Sequence, residues 1–331
     1  MQVQAYINGI LPRSDFALET GSALLKGRET KENFERILEK ETQNLISIQE
    51  TSGLNYITDG QLFWHDFLRP IAQALSLHSE NSNADENPVT RQIYTNTFYR
   101  KPLILQKIKN PKKPLISKDF FDIIPKNKRK AILPSPFSLV YLSDGMHRNE
   151  NGTLNEDVFA ELLVDAALAL NEEAKRLEKD SDVSFIQFNE PCMCYANEAE
   201  NFFDDINNAL EAAVNGLKAI TSLHLYNGDA SKFFPQILKF PVKRIGIDAY
   251  STDLSKFANN SFKKFLELGI VNSKNSLIEE PEAIAEYGKQ VLKKINPEGL
   301  ALVPNRPLEL VPQHIAIEKI KSLAKGAELL N

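Results

Sequence analysis

The sequence predicts a (β/α)8 TIM barrel, and three observations carry that prediction. Eight short β-branched runs alternate with stretches of helical period. Most of the runs are four to six residues long, as buried parallel strands are. The 331 residues accommodate eight such units, which need about 250 residues, with an insertion to spare. A doubly wound open sheet is the alternative arrangement of the same pieces.

In chain order the expected strands are Gln2–Gly9, Asn55–Thr58, Ala131–Leu133, Val183–Phe188, Ala219–His224, Arg244–Asp248, Leu268–Val271 and Leu300–Val303. The expected helices are Lys31–Ser52, Asn155–Lys179, Glu200–Leu217, Ser231–Lys239, Ser255–Glu267, Pro281–Ile295 and His314–Lys325. Asn155, three residues before Val158, offers an N-cap, and Pro281 sits where a first helical turn tolerates it. About 70 residues separate the second and third strands, where one crossover helix needs about 20. The chain therefore reads as one barrel domain, 1–331, with an insertion at 78–130 on the rim. Around it, Leu62–Leu77 reads as a helix, His78–Asn87 as a polar loop and Arg91–Leu105 as an extended pair.

Composition narrows the function. Lys and Arg number 39 against 44 Asp and Glu, a net charge of -5, which argues against a nucleic-acid binder. The stretch 107–130 is locally basic, with nine cations and two carboxylates, and reads as a solvated face or an attractor for an anionic ligand tail. Two cysteines exclude a disulfide scaffold. The chain enters its first strand without a leader pattern, and Phe159–Leu170, the richest apolar stretch, carries Glu161 and Asp165. A cytoplasmic protein with no membrane contact is expected.

In a barrel of this kind, chemistry belongs to the loops that follow the strands. Those loops read Gly9-Ile10-Leu11-Pro12-Arg13, Asp59-Gly60-Gln61, Pro134-Ser135-Pro136, Asn189-Glu190-Pro191-Cys192-Met193-Cys194, His224-Leu225-Tyr226-Asn227-Gly228-Asp229, Asp248-Ala249-Tyr250, Asn272 and Pro304-Asn305-Arg306-Pro307. Glu190 and His224 are the candidate catalytic groups, able to act as general acid or base if burial moves their pKa toward neutrality. Arg13, Asp59, Gln61, Asn189, Tyr226, Asp248, Asn272 and Arg306 are candidate substrate-binding residues. Tyr6, Trp64, Phe137, Tyr141, Tyr195, Tyr226 and Tyr250 offer stacking surface for a pterin or corrinoid ring, or fill the core.

Five of these pieces, in order, resemble the cobalamin-independent methionine synthase family, whose barrels share a superfamily with uroporphyrinogen decarboxylase. They are Gly9 to Arg13, Asp59-Gly60-Gln61, Thr95 to Pro102, Gln187-Phe188-Asn189-Glu190-Pro191, and Pro304 to Pro312. The resemblance spans nearly the whole chain. It implies methyl transfer to the sulfur of homocysteine, and a thiol becomes a good nucleophile near neutral pH as a thiolate, which zinc coordination supplies. The family's ligands are a His-x-Cys pair after strand five, a carboxylate after strand six and a closing Cys. Here His224 matches the histidine, Tyr226 stands at the first cysteine, Asp248 near the carboxylate and Arg306 at the last cysteine. Ile10, Gln61 and Asn189 stand where a serine and two carboxylates would hold the homocysteine ammonium. The zinc site is thus expected to be degenerate, and no metal is favoured.

The run Leu225-Tyr226-Asn227-Gly228-Asp229, with Leu238 to Val242 and Ile245 to Asp248, is similar to the amino-terminal, zinc-less barrel of the long methionine synthases, which helps to hold the folate. The expected function is therefore a methyltransferase or a subunit of one: a barrel that binds substrate or a folate or corrinoid methyl donor and works with a separate zinc-bearing barrel. Two alternatives stand beside it. One is a metal-independent lyase or decarboxylase. The other is a stand-alone methyltransferase whose displaced zinc site uses Cys192, Cys194 and His224 with Asp248.

Overall fold

Runs such as Ile245-Gly246-Ile247 and Leu300–Val303 are apolar on both faces, and such strands are stable only where each face is covered. In the computed structural model, which describes residues 2–91, 98–111, 114–116, 119–258 and 262–331, they join one parallel sheet of seven strands. These are β1 (Gln4–Ala5), β2 (Lys130–Pro134), β3 (Phe185–Glu190), β4 (Ile220–Leu225), β5 (Arg244–Asp248), β6 (Phe265–Val271) and β7 (Gly299–Pro304). Their spatial order is β1-β7-β6-β5-β4-β3-β2. From β2 to β7 every residue but Ile220 and Phe265 is buried.

The sheet curls until its two edges meet on the segment that carries Ile57. The Asn55 amide donates to Ala5 O (2.9 Å) and the Asn55 side-chain oxygen accepts from the Ala5 amide (2.8 Å). On the other side the Ile57 amide donates to Lys128 O (2.8 Å) and the Lys130 amide to Ile57 O (3.0 Å). The expected strand Asn55–Thr58 is thereby reduced to a single bridge, Ile57 to Arg129. Its ladder is replaced by side chains: Gln49 accepts from the Thr58 amide (3.1 Å) and donates to Thr58 O (2.8 Å). The first strand is likewise shorter than the expected Gln2–Gly9. The result is the expected β/α barrel, with seven strands in the ladder and the second position closed by a few backbone bonds and the Asn55 side chain.

Helices cover the outside: α1 (Asp15–Leu25), α2 (Lys31–Thr51), α3 (Arg69–Ala74), α4 (Pro136–Tyr141), α5 (Glu156–Ser181), α6 (Phe203–Val214), α7 (Pro281–Ile295) and α8 (Gln313–Leu330). Asn155 caps α5 by accepting from the Val158 amide (3.3 Å), and Pro281 opens α7, both as expected. The sequence reading has no counterpart for α1, whose start is marked by Ser14 accepting from the Ala17 amide (3.1 Å), nor for α4.

Three expected helices are corrected. Ser231–Lys239 is two 3-10 turns, Ala230–Phe233 and Gln236–Lys239, separated by Pro235, which has no amide hydrogen to continue a helix. In place of Ser255–Glu267 there is one turn, Leu254–Phe257, while Phe265 to Glu267 begin β6. Leu62–Leu77 shrinks to α3, because the Asp66 carboxylate accepts from the Leu68 (3.0 Å) and Arg69 (2.8 Å) amides and caps the helix late.

Between α3 and β2, Val89–Arg91 pairs antiparallel with Phe98–Arg100, and Leu103–Ile104 runs parallel to Asp144–Gly145. Thr95, Asn96 and Thr97 of the third motif lie outside the described residues. Several cations of the basic stretch are already paired: Lys107 with Glu161 (3.1 Å), Lys126 with Asp182 (2.6 Å), and Arg129 with Asp122 (3.7 Å). Among the described residues no helix is long and apolar enough to cross a membrane.

The barrel floor is aromatic and charged at once. Tyr6, Tyr56 and Phe185 meet edge to face at 4.9 to 5.6 Å, the Lys130 ammonium lies 4.1 Å from the Tyr6 ring centre, and the Arg244 guanidinium lies 4.0 Å from that of Phe265. Such cation–π contacts contribute about 2 kcal/mol each when desolvated, which helps to hold two buried cations facing one buried carboxylate, Glu267. The site stands on this floor.

Candidate functional site

The register of neighbouring strands builds the interior row by row. Asn189 of β3 is level with His224 of β4, His224 with Gly246 of β5, and Gly246 with Glu267 of β6. Gly246 leaves a gap into which His224 turns Nδ1, 3.7 Å from the Glu267 carboxylate. On the other side of the ring, Nε2 lies 2.8 Å from the Asn8 side-chain nitrogen and 3.1 Å from Asn305 O. Both nitrogens therefore face protein groups. Burial opposes charge on Glu267, but His224, Lys130 and Arg244 together hold its carboxyl below the usual range.

Above this row is a cavity of about 20 Å³ at the barrel mouth, lined by Ile10, Gln61, Asn189, Tyr226, Asn227 and Arg306 and walled off by Phe67, Pro307, Glu309 and Leu310. Four of the ten candidate site residues meet there: Gln61, Asn189, Tyr226 and Arg306. Gln61 reaches it through a left-handed turn, with φ of 70° at Gly60 and 54° at Gln61, and donates to Ile132 O (3.2 Å). For a residue with a side chain, that conformation costs about 1 to 3 kcal/mol and is concentrated at functional sites. Asn189 donates to Asn8 O (3.0 Å) and accepts from Gln187 (2.6 Å). Arg306 donates from Nε to Ser273 Oγ (3.0 Å) and from one terminal nitrogen to Asn227 Oδ1 (3.3 Å).

The other six candidates sit elsewhere. Glu190 accepts from Ser135, from Ser138 Oγ (2.5 Å) and from the amides of Cys192 and Met193 (both 2.8 Å), so it pins the loop after β3 to α4. Burial raises its pKa even so. Arg13 donates to Leu62 O (2.8 Å) and Trp64 O (3.2 Å), latching the loop after the second barrel position. Asp59 accepts from the Gln61 amide (3.1 Å) and is raised to about 6 by burial. Asp248 accepts from the Tyr250 amide (2.9 Å), Ser251 Oγ (2.9 Å) and Asn305 (3.2 Å). Asn272 accepts from the Lys274 amide (2.8 Å) in a turn. His224 lies beneath the cavity, its ring 5.8 Å from that of Tyr226.

Residues the sequence reading did not single out complete the arrangement: Asn8, which ties His224 to Pro304 O (2.6 Å), Glu267, Ser273, Phe67 and Glu309. Burial pushes Glu309 up to about 7, against the field of Arg306. Glu267 left a signal, a lone carboxylate inside the apolar run Phe265–Val271.

The chain matches the family model described as "Cobalamin-independent synthase, Catalytic domain" over residues 9–329. It belongs to this family. That description names the catalytic domain, not the zinc-less half that the residues after β4 resemble. Among curated relatives, the methionine synthase of Thermococcus kodakarensis is 24% identical over 329 residues, covering 98% of this chain and 92% of its own length. That of Sulfurisphaera tokodaii is 23% identical, covering 97% and 90%. Two solved structures share the fold. A B12-independent methionine synthase from Shewanella sp. W3-18-1, in complex with selenomethionine, superposes with a TM-score of 0.74 at 19% identity, over 92% of this chain and 90% of that one. A methyltransferase from Methanosarcina mazei gives 0.62 at 12% identity, over 98% and 94%.

The family implies a zinc ion, and the donor set here does not fit one. Tyr226 and Arg306 supply no thiolate, and a guanidinium keeps its charge. His224 and Asp248 are committed to the contacts above. Cys192 accepts from the Tyr195 hydroxyl (3.2 Å), and burial raises both thiols well above their ordinary value. Among the described residues no three His, Cys, Asp or Glu side chains come together as a metal site, so Cys192, Cys194 and His224 are not assembled into one.

Proposed function

We propose that this methionine-synthase-like barrel holds a substrate or methyl donor for transfer to homocysteine and works with a separate zinc-bearing barrel. The observation that carries this reading is the state of Arg306. It stands at the position of the family's closing cysteine, fixed by Ser273 and Asn227 and facing the mouth cavity. A cation at that point opposes metal binding while leaving the cavity itself polar. Homocysteine would then meet its zinc on the partner barrel, and a cavity of about 20 Å³ suits only a small ligand group.

The test is reconstitution. The purified chain is assayed for methionine formation from homocysteine and a folate or corrinoid methyl donor, alone and with an added zinc-bearing barrel that carries the His-x-Cys and closing Cys motifs. Activity only in the mixture supports the reading; full activity of the chain alone contradicts it.

One observation favours a second reading, a metal-independent lyase or decarboxylase. Glu309 at the mouth and Asp59 in the turn that carries Gln61 have carboxyls raised to about 7 and about 6 by burial, the range in which a group both gives and takes protons. Turnover of a substrate lacking homocysteine in the presence of a chelator would favour it.

A further inference from the structure

The geometry points to an oxyanion-binding site at the barrel mouth, in which Arg306, Asn227 and Tyr226 take the carboxylate or phosphate group of an anionic small molecule. It deepens the reading of the mouth as a ligand pocket and rests on it.

Consider first how the other buried guanidinium groups are used. Arg129 donates to Ile124 O (2.9 Å) and Ser181 O (2.7 Å) and pairs with Asp122. Arg244 donates to Gln4 (2.7 Å) and the Tyr6 hydroxyl (2.9 Å) and lies on aromatic rings. Each is consumed by structure. Arg306 is only 7% exposed, yet it makes no ion pair among the described residues, and its second terminal nitrogen makes no hydrogen bond there. Its charge is offset in part by the longer-range fields of Asp248 and Glu309, and the side chain lines the mouth cavity.

Two more donors converge on the same space. The Asn227 side-chain nitrogen is buried and has no acceptor, while its oxygen is held by Arg306. The Tyr226 hydroxyl has no hydrogen-bond partner among the described residues and lines the cavity beside it. The guanidinium, the amide nitrogen and the phenol O–H each have a donor hydrogen with no acceptor among the described residues, and an oxyanion satisfies all three.

Glu309 is the one carboxylate that lines the cavity. Its burial keeps the acid form populated near neutrality, which reduces repulsion toward an entering anion. The cavity of about 20 Å³ has room for about one water molecule, so an oxyanion of several heavy atoms fits once neighbouring side chains shift.

The experiment is calorimetric titration of the whole chain with sodium acetate and with inorganic phosphate, acetamide serving as the neutral control. Acetate or phosphate should bind and acetamide should not; whichever anion binds tighter identifies the headgroup. Arg306→Met should lower the affinity at least tenfold. Asn227 has a left-handed backbone, φ 67°, which Asp also tolerates; Asn227→Asp keeps the shape but places a carboxylate against Arg306, and should abolish binding even if Arg306→Met fails to fold. Absence of any anion binding by the wild-type chain up to about 50 mM, far above the millimolar range of weak complexes, overturns the proposal. So does unchanged affinity in a folded Asn227→Asp chain. Because binding is measured without homocysteine or a second barrel, its failure is distinguishable from failure of the methyl-transfer reading.

Discussion

Gly246 and His224 share one space: a Cβ built on Gly246 would lie 2.0 Å from His224 Nδ1 and 3.0 Å from the Glu267 carboxylate. The absence of a side chain on β5 is what lets the imidazole turn toward Glu267. Gly246→Ala should therefore force the ring out of its pocket and lower stability by about 1 to 3 kcal/mol, the usual cost of overpacking. The urea unfolding midpoint measures this, and a wild-type midpoint would show that the ring has another place to go.

Glu190 acts in this structure as an anchor. Four donors, two from the start of α4 and two from the loop after β3, converge on its carboxylate, so Glu190→Ala leaves buried hydroxyls and amides without an acceptor. The expected loss is at least about 2 kcal/mol. Ligand binding at the mouth should survive below the melting transition. A variant with normal stability and abolished turnover would assign Glu190 to the chemistry instead.

The raised carboxyls make a signed prediction about pH. Asp59 goes from 3.8 to about 6 and Glu309 from 4.5 to about 7, both chiefly by burial. Below the unfolded values both states are protonated, and their contribution to stability is fully present. Between the unfolded and folded values the native state binds more protons, so the contribution is lost as pH rises toward about 7. Asp59→Asn and Glu309→Gln should each flatten the fall in melting temperature between pH 4 and about 7. An unchanged slope in both variants would contradict the assignment.

Lys130 has the opposite sign. Burial pulls its ammonium down from 10.5 to about 7, so above that pH the native state binds fewer protons than the unfolded chain and gains stability with rising pH. Lys130→Met retains the apolar bulk on Tyr6 and Phe185 and should remove that gain. Parallel pH profiles for the two proteins between pH 7 and about 9 would show that Lys130 stays charged.

The central strands and the capped helices were legible because burial on both faces and N-cap chemistry are local signals: the buried run Arg244–Asp248, Asn155 before α5 and Pro281 at the start of α7 each appear in a few consecutive residues. The second strand was placed correctly at Asn55–Thr58, but its reduction to a single bridge at Ile57 was not legible, since Gln49 takes both backbone groups of Thr58 from nine residues before it. The same contrast holds at the site. Gln61, Asn189, Tyr226 and Arg306 follow directly after their strands and were found by position. Asn8 and Glu267 act through residues hundreds of positions away, with Asn8 on His224 and Tyr6 on Glu267, and only the closed barrel brings them together. Asp248 and Asn272 share the favourable position but spend their side chains on turns, which strand ends alone cannot distinguish from ligand contacts.

On the proposed function, this mouth, with Arg306 and Tyr226 where thiolates would stand, activates no thiol through a metal of its own. Metal analysis of the chelator-washed chain after incubation with zinc and desalting, coupled to proton release on adding homocysteine, measures this. Well under one zinc per chain and no proton release at neutral pH are expected. One zinc per chain, lost in a Cys192→Ser/Cys194→Ser double variant and accompanied by release of the homocysteine proton, would contradict the proposed function.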